Sequence, residues 1–193
     1  EKQGKRTQEK GKKGIKKIVL WGLGLLVAIG IIGSFFIFGS KEQTPNPDSS
    51  KVAPDEGRTH ISEGTNVEYQ SNPPTSGSHW GEPLADGIYD TEKPDEAIVH
   101  SLEHGRVWVS YKPSIPEQTK NALENLLKKY NGTVLTPRSA NDTDIALAAW
   151  NRLDTFDLNP DGTFSENRIT DFIKRWQNKA PEFVPGHGGG KKY

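Results

Sequence analysis

The chain has 193 residues, with 25 basic and 25 acidic side chains, five histidines and neither cysteine nor methionine. That length gives one ordinary domain plus flanking segments. The missing cysteines exclude disulfides and thiolate metal sites, and the missing methionines exclude thioether ligands. Any bound metal must therefore sit on imidazole, carboxylate or backbone oxygen.

The formal net charge of zero is unevenly spread. Residues 1–17 hold eight basic and two acidic side chains, and residues 18–40 hold no charge. The 21 residues "IVLWGLGLLVAIGIIGSFFIF", 18–38, are apolar or small throughout. About 20 such residues cross a bilayer core as a helix. Trp21 at one end and Phe35, Phe36 and Phe38 at the other suit the membrane interfaces. The run exceeds the apolar region of a signal peptide. The basic side of a membrane helix stays in the cytoplasm. These features predict a single-pass protein of the cell membrane, with residues 1–17 as a cytoplasmic tail and all that follows residue 38 extracytoplasmic. The tail abuts the apolar run directly, which assigns its charge to topology and leaves no nucleic-acid partner.

Residues 39–58 are rich in Pro, Ser and charge and read as a disordered linker. The folded domain is expected over 59–183, with 184–193 as a flexible C-terminal tail. "PDEAIVHSLEHG" (94–105) has acids in its first turn and Gly105 at its end, which predicts a short helix. A hairpin pairing "IVHSL" with "VWVSY" is the alternative. Strands are expected at 106–111, 133–136 and 145–152. A helix from a Ser114–Glu117 capping box runs to Asn131-Gly132, and another covers 165–177 with Ile169, Phe172, Ile173 and Trp176 on one face. The order predicts an α+β domain, with helices packed on one side of a small sheet.

On a helix His100 and His104 share a face one turn apart, so both imidazoles can converge on one ion. His79, in the turn-rich loop "NPPTSGSHW", and His60, in "RTHISEG", are candidates for further ligands. His187 lies in the Gly-rich tail and is given no such role. Glu103 reads as a carboxylate orienting an imidazole, or as a solvated helix residue. An all-imidazole site suits zinc or copper(II).

"HISEG", "NPPTSGSHW", "GIYD", "VHSLEHGRVWVSY", "AAW" and "APE", in this order, resemble the family known as domain of unknown function 3105. The resemblance spans about 59–183. It implies a domain tethered by an N-terminal membrane helix and a metal site on the repeated histidines His60, His79, His100 and His104. It implies no reaction.

The combined reading is a membrane-anchored domain that binds or delivers a divalent metal without catalysis, its protein partner unknown. Two alternatives stand beside it. "HSLEH" matches H-x-x-E-H, in which two His hold zinc and the Glu, here Glu103, activates water; such a site also needs a distal carboxylate, and Glu182 lies downstream as one of 25 acids. The other alternative is an interaction module whose histidines are structural and whose Trp80, Trp108 and Trp150 serve the core or a partner. Asp157, Asn159, Asp161 and Gly162 match a calcium loop, but Arg168 stands where its bidentate Glu belongs, so an Asx-rich turn is expected. Asn131 and Asn141 each open an N-x-T glycosylation pattern.

Overall fold

The computed structural model describes residues 47–182, residue 184 and the backbone of 191–192. The basic tail, the apolar run of 18–38 and His187 lie outside the described residues. Among the described residues no helix is long and apolar enough to cross a membrane.

The centre of the fold is built from two strands that are buried on both faces. β5 (Val107–Tyr111, VWVSY) and β7 (Ile145–Ala149, IALAA) bury every residue, as strands interior to a covered sheet do. Around them run β1 (Lys51–Val52), β4 (Gly87–Ile88), β6 (Thr133–Pro137), β8 (Arg152–Phe156) and β9 (Lys191–Lys192). Their order is β1-β8-β7-β5-β6-β4-β9. The β4, β5, β6 and β9 strands are parallel, and β7, β8 and β1 add antiparallel pairs. A separate two-stranded parallel pair joins β2 (His60–Ile61) to β3 (His79–Trp80).

Three helices complete the described fold: α1 (Asp95–Glu103), α2 (Glu117–Leu127) and α3 (Glu166–Trp176). The α+β class holds, but the helices lie on both faces of the sheet. Ile98 and Leu102 of α1 pack with Trp108, Val134 and Ala148. Leu123, Leu126 and Leu127 of α2 and Ile169, Phe172 and Ile173 of α3 pack with Val107, Val109, Leu135 and Leu147. Strand order supplies the reason. The β4-α1-β5 connection steps over β6, and β5-α2-β6 steps back. Two crossovers of the same hand running in opposite directions put their helices on opposite faces.

Other boundaries differ from expectation for local reasons. The expected strand 145–152 is a hairpin, because Asn151 takes φ 55° and turns the chain so that Ala149 pairs with Arg152. Such a conformation is tolerated by Asn. The Ser114–Glu117 capping box does not form: α2 starts after Pro116 with no side-chain cap. At α3 the Ser165 side chain does cap, accepting from the Arg168 amide. Part of the expected linker is packed. Lys51 and Val52 pair with β8, Ala53 is buried, and the Ser76 hydroxyl donates to Pro54 O and accepts from the Glu56 amide. Part of the expected tail is held too, since Arg106 donates to Val184 O and β9 pairs with β4.

Candidate metal centre

Three chain segments meet over the outer face of α1. His60 and His79 are register partners in the parallel pair β2–β3, so their side chains leave on the same side of that ribbon. The 72–80 loop that delivers His79 is tied down throughout. Its Thr75 and Ser76 are fully buried, Tyr69 OH donates to Ser78 O, and the His79 amide donates to Thr59 O. Gly77 sits at φ 120°, and a Cβ there would lie 2.9 Å from the Tyr69 ring. The helical alternative for 94–105 is the one observed, and it ends at Gly105 with φ 83°. His100 and Glu103 are then three residues apart on α1, turned away from the sheet that Ile98 and Leu102 face.

His60, His79, His100 and Glu103 converge so that one donor atom from each lies within 4.8 Å of all the others. The three imidazole centroids form a near-equilateral triangle with sides of 4.9, 4.7 and 4.9 Å. Glu103 Oε2 is 3.0 Å from His79 Nε2 and 3.7 Å from His60 Nε2. Donors around a four-coordinate zinc lie roughly 3.3–3.5 Å apart. Small side-chain rotations would close this set around an ion.

The second nitrogen of each buried ring is already committed. His79 Nδ1 lies 2.8 Å from Gly77 O, and His100 Nδ1 lies 2.7 Å from Trp80 O. A carbonyl only accepts, so each Nδ1 carries a proton, and in a neutral ring the lone pair is then at Nε2. Metal-binding imidazoles are oriented in this way. His79 Nε2 and Glu103 Oε2 are buried without a hydrogen-bond partner. Two bare acceptors facing each other at 3.0 Å repel unless a cation or a proton lies between them. Burial pushes the His100 pKa down to about 4, and three neighbouring imidazoles push the same way. His100 is thus a neutral imidazole at physiological pH.

A family model described as "Protein of unknown function (DUF3105)" matches residues 60–187. The chain belongs to the DUF3105 family. No curated protein and no solved structure matches it. The matched region of this DUF3105 chain opens on His60 and contains the whole cluster, whereas residues 47–59, Arg58 among them, precede it.

Of the four histidines expected to act together in the DUF3105 domain, three are in the cluster and His104 stands beside it. His104 caps the C-terminus of α1, with its Nε2 3.1 Å from His100 Nε2 and 3.6 Å from Glu182 Oε2. The fourth member of the convergent set is Glu103, which is 2 % exposed and is not a solvated helix residue. Its position three residues after His100 on a helix was the available signal. Arg58 was not foreseen. Its Nη1 lies 3.8 Å from Glu103 Oε1, on the side of the carboxylate away from His79. No spacing in the sequence connects it to the cluster.

The remaining motifs resolve into ordinary structure. The Asp157–Arg168 stretch is an Asx turn, with Asp161 Oδ1 accepting from the Thr163 amide and hydroxyl. Arg168 is bound in a two-point pair to Asp154. Asn141 is buried, and its amide donates to Ser110 Oγ. A glycan on that nitrogen is incompatible with this fold. Trp108 belongs to the core, where its ring nitrogen donates to Thr136 Oγ1. Trp80 contributes to the site through its backbone carbonyl.

Proposed function

We propose that this DUF3105 protein is a single-pass membrane protein whose extracytoplasmic domain binds one divalent metal ion, zinc or copper(II), through His60, His79, His100 and Glu103. Its role is to hold or deliver the ion. The observation that carries this reading is the buried, unpartnered contact between His79 Nε2 and Glu103 Oε2. The donor chemistry agrees: three imidazoles and one carboxylate suit zinc or copper(II), and a chain without Cys or Met offers nothing soft for copper(I). The +6 tail next to a 21-residue uncharged run supports the anchor and its orientation.

Hydrolysis is the less favoured use of the site. The H-x-x-E-H reading needs Glu103 free to activate water, yet Glu103 Oε2 points into the imidazole triangle. A purely structural cluster has one concrete form, a protonated His79 paired with Glu103. Elemental analysis of the purified full-length chain separates the two. About one equivalent of zinc or copper, lost in His79→Ala, is the expected result. No bound metal, and no shift in melting on adding either ion, means that a proton fills the contact and the histidines are structural.

A further inference from the structure

The cluster leaves few approaches for an ion. His79, His100 and Glu103 are 0 %, 4 % and 2 % exposed. His60 is the one exposed member of the set, and its Nε2 is 3.7 Å from Glu103. On the opposite side of His100, two further donors continue outward: His104, whose side chain is 17 % exposed, and Glu182, whose side chain is 51 % exposed. Their atoms form a chain of contacts, His100 Nε2 to His104 Nε2 at 3.1 Å and His104 Nε2 to Glu182 Oε2 at 3.6 Å. The chain runs from the buried cluster to solvent.

Glu182 is placed there by built contacts. The Asn178 amide donates to Gly105 O, the Glu182 amide donates to Glu103 O, and Arg106 donates both to His104 O and to Val184 O. Residues 178–182 and Val184 are thereby strapped across the end of α1. The approach is close enough that a Cβ on Gly105 would lie 2.8 Å from the Asn178 Cα. The strap carries a carboxylate to His104, where no helix or sheet contact requires one.

Resting on the metal-binding reading above, we infer that His104 and Glu182 form an outer station through which the ion enters and leaves the buried set. Ligand geometry supports this. His100 Nδ1 is engaged with Trp80 O, so His100 has a single lone pair, at Nε2. It cannot hold one ion in the inner set and another on the outer side. His100 is therefore a pivot shared by two alternative donor groups: His60, His79 and Glu103 inside, His104 and Glu182 outside. Each group adds one carboxylate, so the ion keeps the same compensating charge as it passes between them. Its oxidation state does not change. Stepwise exchange of donors avoids stripping the ion bare in a low-dielectric site, which is the costly alternative.

The test uses zinc and the full-length chain in detergent, comparing wild type, His104→Ala and Glu182→Ala. Zinc uptake is followed by rapid mixing, and release by transfer to excess chelator. Both variants are expected to retain one zinc per chain with little change in affinity, but to take it up and release it several-fold more slowly, because each removes one donor of the stepwise exchange. Glu182 is exposed, so its loss leaves folding intact should His104→Ala misfold. Unchanged rates in both variants overturn the inference, as does loss of the zinc itself, which would make His104 an inner ligand. Slower release with unchanged uptake also overturns it, since His104 would then merely compete for the His100 lone pair. A wild-type chain that binds no zinc removes the metal reading first, a different failure from these.

Discussion

His79 Nε2 and Glu103 Oε2 face each other at 3.0 Å, both buried, and neither has a hydrogen-bond partner. Gly77 O holds the other nitrogen of the same ring in its protonated state. The contact joins the first residue of β3 to a helix residue 24 positions later and is the point where two accounts of this protein diverge.

Glu103→Gln tells them apart. An amide can donate to the bare His79 Nε2, so in a metal site the metal-free chain should be as stable as wild type or more so. Its affinity for zinc should nevertheless fall, since a charged ligand has been replaced by a neutral one. If the contact is instead a buried imidazolium–carboxylate pair, the same substitution leaves a charge unpaired and costs about 3–5 kcal/mol. Denaturant unfolding with and without zinc measures both.

The pH dependence of the metal-free chain has a definite sign. His100 has a folded pKa of about 4, depressed chiefly by burial, and burial also lowers that of His104. A histidine regains an ordinary value near 6.5 on unfolding. The unfolded chain therefore binds more protons in this window. Stability is fully present above about pH 6.5 and falls as pH drops towards about 4, by at most about 1.4 kcal/mol per pH unit for each such imidazole. Urea unfolding between pH 7 and 4 should show this slope. His100→Gln, whose amide can still donate to Trp80 O, should flatten it. An equal slope in wild type and variant would show that His100 is not the group responsible.

The site was more legible in the sequence than the sheet was. A histidine pair at helical spacing, and a rigid loop carrying another, are local signals, and α1 formed where they placed it. Convergence was harder to read. His60 and His79 meet because β2 and β3 pair in parallel across a 17-residue connection, and nothing local encodes that register. His104 is grouped with His100 both by helical spacing and by the family resemblance. It falls at the helix end, beside the strap bearing Glu182, and the helix face that meets the imidazoles is shared by His100 and Glu103. The two-sided packing was hidden for a similar reason. It depends on β4, a two-residue strand whose sequence, Gly87–Ile88, is too short to show alternation, yet whose place beside β6 sends α1 to the opposite face from α2.

Orientation is tested independently of metal. Lys51 and Val52 pair with β8 and Ala53 is buried, so the domain is already packed within the expected linker. A protease added to intact cells should remove the domain and spare an epitope placed at the N-terminus, following the positive-inside rule. An accessible N-terminal epitope with a protected domain would reverse the topology.

The histidine series distinguishes inner from outer donors. His79→Ala and His100→Ala each remove a buried imidazole whose second nitrogen is fixed by a backbone carbonyl. Either should abolish stoichiometric zinc, and the double variant should be little worse, because the donors act as one unit. His60→Ala should weaken binding less, since its side chain is 54 % exposed and water can take its place. His104→Ala should keep the ion. Melting gives the same ranking by a second route. Zinc at about 100 times its dissociation constant stabilises a folded site by about 2.7 kcal/mol. That gain should survive in His104→Ala, shrink in His60→Ala and vanish in the other two. A series in which His104→Ala loses the gain while His79→Ala keeps it would move the ion out of the His60–His79–His100–Glu103 set and onto the end of α1.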